Sequence, residues 1–120
     1  MDLYGRNGTT IKIPSLNWLA MWIPFYLEGH LNRADYEKGL NNDGFFVDAA
    51  TTKKFIKFLN SDADNFVDAA RMKEEFDKAP HNKAIAELLR ENPGMKVHME
   101  QDAWKRFVEF AKDSGGFEIR

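Results

Sequence analysis

Residues 101–120 read QDAWKRFVEFAKDSGGFEIR, a stretch that contains both a helix and its exit. Trp104, Phe107, Val108 and Ala111 fall at i, i+3, i+4 and i+7, a spacing that lays one apolar stripe along a helix, and Phe110 widens it. That helix is predicted to start near Gln101. A helix closes favourably when a glycine just past its last turn adopts the left-handed conformation and the next apolar residue packs back on it. Gly115 or Gly116 can supply the turn and Phe117 the contact, while Phe117 and Ile119 give the alternating face of a short final strand.

Working outward, the first residues, LYGRNGTTIKIP, place Asn7-Gly8 between two stretches able to extend, and Asn-Gly favours the positive φ angles of a tight hairpin turn. Ser15 is predicted to cap a helix carrying Leu16, Leu19, Trp22 and Ile23. That helix should end or kink at Pro24, which cannot donate to the preceding turn. Residues 28–44 are polar, contain three glycines and read as loop and turn. Phe45, Phe46 and Val47 form a short strand, and Asp48 caps a helix bearing Phe55, Phe58 and Leu59. Two more helices are expected. One runs from Ser61 or Asp62 through Phe66, Ala69, Ala70 and Phe76 to Pro80, and one from Asn82 to Glu91, stopped by Asn92-Pro93-Gly94. MKVHM is a further short strand. The expectation is an α+β fold, mainly α, in a single domain over 1–120: four to five helices surround an aromatic core, with a small β-element from the N-terminal hairpin and short C-terminal strands.

Composition supports a real core and removes several functions. Leu, Ile, Val and Phe make up 29 of the 120 residues, above the level at which disorder is the better reading, and ten Phe with three Trp make the core aromatic. With no cysteine, disulfides, thiolate zinc sites and cysteine nucleophiles are excluded, and the absence suits a cytoplasmic protein. The apolar run from Leu16 to Leu27 is twelve residues long and contains Asn17 and Pro24. A bilayer needs roughly 20, so the run is a buried core segment and no membrane partner is expected. Residues 1–60 carry seven basic and six acidic groups, and residues 61–120 carry ten and thirteen, for +1 and −3. Neither half is a polyanion-binding tail.

The candidates for chemistry are few. Asp113 to Gly116, DSGG, also surrounds the nucleophile of chymotrypsin-like serine proteases, but here Lys112 precedes it and a strong helix leads into it. No histidine neighbourhood matches that of a triad, so Ser114 is read as part of the helix end and Ser114→Ala is expected to change little. His30, His81 and His98 stand 51 and 17 residues apart, with no second ligand at a compact spacing. FVDAA occurs at Phe46–Ala50 and again at Phe66–Ala70, an echo that suggests paired calcium loops. A loop starting at Asp62 would have Val67 where the sharp turn needs glycine and Lys73 where a bidentate Glu belongs, and one starting at Asn41 ends on Thr52. The echo reads instead as two helix N-termini of similar composition. No catalytic residue, metal or cofactor is expected.

YGRNG, a helix bearing Trp18 and Trp22, DGFFV before a helix with FIKFL, and a terminal FVEFAKDSGGFEI resemble a class of small bacterial proteins in which a helix ends in SGGF-x-I. The resemblance touches both ends and one middle segment, carries no activity, and implies an immunity protein or another single-partner inhibitor. The leading expectation is therefore a non-enzymatic binding protein that neutralises a protein partner, such as a toxin domain. Its contact surface would be built on Asp35, Tyr36, Glu37, Asp43, Asp62 and Asp64, since long loops commonly carry recognition and an acidic surface suits a basic target. Tyr26 is, like Tyr36, a candidate exposed aromatic. Two alternatives stand beside it. One is a small metal-dependent or His/carboxylate enzyme using His30, His81 or His98. The other is a nucleic-acid-binding regulator with a positive stripe over Lys53, Lys54, Lys57 and Arg71, which the sparse cations disfavour.

Overall fold

The last strand of the chain lies inside its main sheet, between segments separated from it by most of the sequence. The computed structural model describes residues 1–40, 44–61, 66–68, 87, 88, 90–92, 94, 96–98 and 101–120. In chain order the elements are β1 (Asp2–Gly5), β2 (Thr10–Lys12), α1 (Ser15–Leu27), α2 (Arg33–Gly39), β3 (Phe45–Val47), α3 (Ala49–Ser61), β4 (Phe66–Asp68), β5 (Lys96–His98), α4 (Gln101–Lys112) and β6 (Phe117–Ile119). Residues 87, 88, 90 and 91 are also helical. The four-stranded sheet has the order β2-β1-β6-β3 and every pairing in it is antiparallel. Its register places Leu3 opposite Ile119 and Val47 opposite Phe117, so the inward-facing residues of three strands form one apolar surface. The fold is α+β and mainly α, as the sequence predicts, with α1 to α4 and the helical residues at 87, 88, 90 and 91 among the described residues.

The hairpin forms by a different turn from the one expected. Gly5 and Thr9 close a three-residue loop, with the Gly5 amide donating to the Thr9 carbonyl and the Gly8 amide to the Gly5 carbonyl. Only glycines have positive φ among the described residues, so Asn7 does not take the left-handed conformation and Gly8, at φ 90°, does. This is a three-residue loop with a glycine bulge, in place of a two-residue Asn-Gly turn. Asn7 acts through its side chain instead. Its Oδ1 accepts from the Thr9 amide and hydroxyl, and its Nδ2 donates to the Asp113 carbonyl at 2.9 Å.

The core is organised around Trp18 on α1. Its ring stacks on Trp22 at 5.0 Å and meets Phe55 of α3, Phe107 of α4 and Phe117 of β6 edge-on at 5.8, 5.9 and 6.0 Å. Each such pair adds about 0.5–1.5 kcal/mol beyond the area it buries. A buried indole also needs an acceptor. Trp18 Nε1 donates to the Gly39 carbonyl at 2.9 Å and Trp22 Nε1 to the Tyr36 carbonyl at 3.0 Å, which pins α2 to α1. A β-carbon on Gly39 would run into the Trp22 ring, so only glycine lets α2 come this close.

Three local expectations are corrected. Helix α1 begins at Ser15 with Pro14 in the cap position and no side-chain cap, because Pro14 already holds the extended conformation that a cap residue needs. Of the end or kink expected at Pro24, the end does not occur. The helix continues to Leu27, since Pro24 deletes a single donor while Ile23 and Phe25 on either side are fully buried. Residues 28–44 are not all loop: Asn32 accepts from the Asp35 amide at 2.8 Å and starts α2.

A fourth correction concerns the helix expected from Ser61 or Asp62 through Phe66. Phe66–Asp68 is strand, with Val67 paired to Val97 and Asp68 opposite Lys96, while the first copy of FVDAA leads, as expected, through the Asp48 cap into a helix N-terminus. Aromatic and β-branched residues favour the extended form, and a partner strand at 96–98 stabilises it. The remainder of the helix expected to reach Pro80, most of that from Asn82, and both calcium-loop starts lie outside the described residues.

Candidate functional site

The DSGG segment joins the two ends of the chain. The Arg6 amide donates to the Gly116 carbonyl at 2.9 Å and the Asn7 amide to the Ser114 carbonyl at 3.1 Å, so the hairpin loop sits on the exit of α4. Gly115 and Gly116 both have positive φ, 71° and 106°. Ser114 is 1% exposed; its hydroxyl donates to the Ala111 carbonyl at 2.9 Å and accepts from the Gly116 amide at 3.2 Å. The helix-end reading is what the geometry supports, but the expectation that Ser114→Ala changes little is not. A buried hydroxyl that holds the turn is lost in that variant.

Of the six residues assigned to a contact surface, three are described. Tyr36 is fully buried, stacked on Tyr26 at 4.0 Å between ring centroids, with the Arg33 guanidinium 5.3 Å from its own ring and 5.6 Å from that of Tyr26. This corrects the reading of Tyr36 as an exposed contact residue: it belongs to the α1–α2 joint, and Tyr26 is half-buried with it. Asp35 is tied to Asn32, whose Nδ2 donates to it at 3.1 Å, and Glu37 accepts from Arg33 Nε at 2.8 Å. Asp43, Asp62 and Asp64 lie outside the described residues.

His30 is exposed and lies flat on Phe25 at 5.0 Å, with Phe58 at 5.5 Å. His98 contributes its backbone to β5, and His81 is not described. Among the described residues no group of three His, Asp or Glu side chains is placed to hold a metal, and no helix is long and apolar enough to cross a membrane.

What the fold does present is the outer face of the sheet. Thr10, Tyr4, Glu118 and Phe46 lie in one cross-strand row. Tyr4 is 37% exposed and Phe46 43%, the only Phe, Tyr or Trp side chains exposed to this degree among the residues whose side chains are described. They flank Glu118 from strands β1 and β3, about 10 Å apart by the spacing of strands. Arg120 donates to both Glu118 oxygens, at 2.9 and 3.4 Å, and its guanidinium lies 4.8 Å from the Tyr4 ring. The carboxylate of Glu118 raises the Arg120 guanidinium further above its ordinary pKa, chiefly through that hydrogen bond.

Sequence reasoning passed over Tyr4 and Phe46, although alternation places both. Once Leu3 and Val47 face the core, the neighbouring Tyr4 and Phe46 must face out. A comparison of the chain with protein-family models, curated proteins and solved structures finds no match.

Proposed function

We propose that the chain is a non-enzymatic binding protein that recognises a protein partner through the outer face of its sheet, in the manner of a bacterial immunity protein or inhibitor that covers a toxin domain in the cytoplasm. The reading rests on the exposure of Tyr4 and Phe46, since the other Phe, Tyr and Trp residues whose side chains are described are buried or half-buried. Aromatic side chains with an adjacent arginine are the residues most often found to dominate binding energy at protein interfaces. The resemblance of both chain ends to small bacterial proteins of the SGGF-x-I type points the same way. The occupied hydroxyl of Ser114 and the stacking of His30 on Phe25 give neither the geometry of a nucleophile and base.

Co-expression with the products of the adjacent genes tests the reading. A stoichiometric complex is expected, with relief of any toxicity of the neighbouring product, and Phe46→Ala and Tyr4→Ala should each weaken it roughly tenfold or more. Two results would overturn it: the chain remaining alone in every co-expression, or the purified chain showing a turnover that is lost in His30→Ala.

A further inference from the structure

Helix α3 exposes a face on which every charge is positive. Ala49, Ala50, Lys53, Lys54, Lys57 and Asn60 are exposed, while Thr52, Phe55, Phe58 and Leu59 are buried. Residues 50, 53, 57 and 60 follow one another at three- and four-residue steps, so they share the outward side. Among the described residues the salt bridges are Lys12 with Asp2, Arg33 with Glu37 and Arg120 with Glu118, and none involves these lysines. The Asp48 carboxylate at the start of α3 feels Lys54, but it is held by hydrogen bonds from Thr51. Among the described residues, three cations thus stand together without an ion-paired counter-charge, in a protein of net charge −2.

This face adjoins an aromatic. A β-carbon built on Gly116 would meet the tip of the Phe46 ring at 2.8 Å and the Ala49 amide nitrogen at 3.3 Å, so the ring and the first turn of α3 border the same point. Exposed Phe46, the two alanines and the lysines thus succeed one another from β3 onto α3 as a strip, apolar at one end and cationic along the rest. From Ala49 to Lys57 it runs about 12 Å, at the helical rise per residue.

We propose that this strip docks an acidic segment of a protein partner, with an apolar side chain of that segment over Phe46 and its carboxylates along Lys53, Lys54 and Lys57. The inference rests on the binding-protein reading and gives that partner a chemistry. Charge complementarity selects an anion, and two features favour a polypeptide over nucleic acid. Firm binding to a phosphate backbone draws on about six to ten contacts, roughly two to three times what three lysines offer. Asp48 and Glu118 flank Phe46 at the aromatic end, where a continuous phosphate chain would meet like charge. A peptide can place an uncharged residue there.

A titration followed by amide chemical shifts tests the proposal, using three probes at low salt. The probes are a helical peptide of about four turns with one Phe followed by glutamates, the same peptide with lysines for glutamates, and a DNA duplex of similar length. The acidic peptide is expected to shift amides of residues 46–57. Its affinity should fall with added salt, and should fall roughly tenfold or more in Lys53→Glu/Lys57→Glu. Phe46→Ala should weaken it as well. All these positions are exposed, so the variants should melt like the parent, and the melting curves verify that the fold is intact. Shifts confined elsewhere, equal binding of the basic peptide, tighter binding of the duplex, or no binding at all would overturn the proposal. A co-expressed partner captured equally by the parent and Lys53→Glu/Lys57→Glu would remove this strip while leaving the binding-protein reading in place. Absence of any partner would remove that reading itself.

Discussion

Ser114 and its two glycines show how much one turn can depend on individual atoms. At Gly115 a β-carbon would find open space, with Arg6 Cβ the nearest atom at 3.9 Å, so Gly115→Val meets backbone strain alone, about 1–3 kcal/mol. At Gly116 the same change adds a collision with the Phe46 ring and the Val47 carbonyl, both 2.8 Å away, and should cost more than about 3 kcal/mol. Ser114→Ala should cost about 1–2 kcal/mol, because the Gly116 amide loses its acceptor. Chemical denaturation of the three variants measures the order; equal losses at the two glycines would contradict it. Asp48 offers a test by pH. Hydrogen bonds from Thr51, the backbone amide foremost, lower its carboxyl pKa. A lowered pKa means the folded state favours the charged form. The contribution is therefore complete above the unfolded value near 3.9, by the reference for Asp, and is lost as pH falls through the folded one. Asp48→Ala should cost about 1 kcal/mol at neutral pH, and Asp48→Asn should keep most of the cap while flattening this part of the acid titration of stability.

At the level of elements, α2 is held by its backbone carbonyls. Because Trp18 and Trp22 donate to Gly39 and Tyr36, Trp18→Phe should leave a buried carbonyl short of a donor and cost about 1–3 kcal/mol beyond any packing loss. Gly39→Ala should displace the Trp22 ring, which tryptophan fluorescence would register. These links explain what could and could not be read from the sequence. Helix α4, its exit, strand β3 and the Asp48 cap follow from periodicity and capping residues close together in the chain. Helix α2 was hidden because RADYEKG is short and polar, and much of what holds it comes from indoles 14 and 21 residues away. Strand β4 was hidden because FVDAA also suits a helix start, and its partner β5 lies about 30 residues on. The exposed aromatics were legible in alternation, whereas the joining of Phe46 to the α3 lysines needed Gly116 to bring β3 and α4's exit together.

For the whole molecule, the surface divides into local joints such as the α1–α2 tyrosine pair and a strip that nothing among the described residues covers. The acidic groups singled out near Asp35 and Glu37 serve the first, which shifts the expected contact from carboxylates to Phe46, Tyr4 and the lysines of α3. The position of β6 has a separate consequence, for the order of folding events. Leu3 pairs with Ile119 across 116 positions of sequence, whereas β1 and β2 pair across a three-residue loop. Closing the longer loop costs about 3 kcal/mol more in chain entropy, so the hairpin and the helices should assemble first and β6 should dock after the rate-limiting barrier. Ile119→Val should accordingly speed unfolding and leave refolding nearly unchanged in stopped-flow measurements, and a refolding rate that fell with stability would place β6 in the nucleus instead. Until that strand arrives, β1 and β3 each present an open edge, so the chain is most exposed to mispairing with its own copies late in folding.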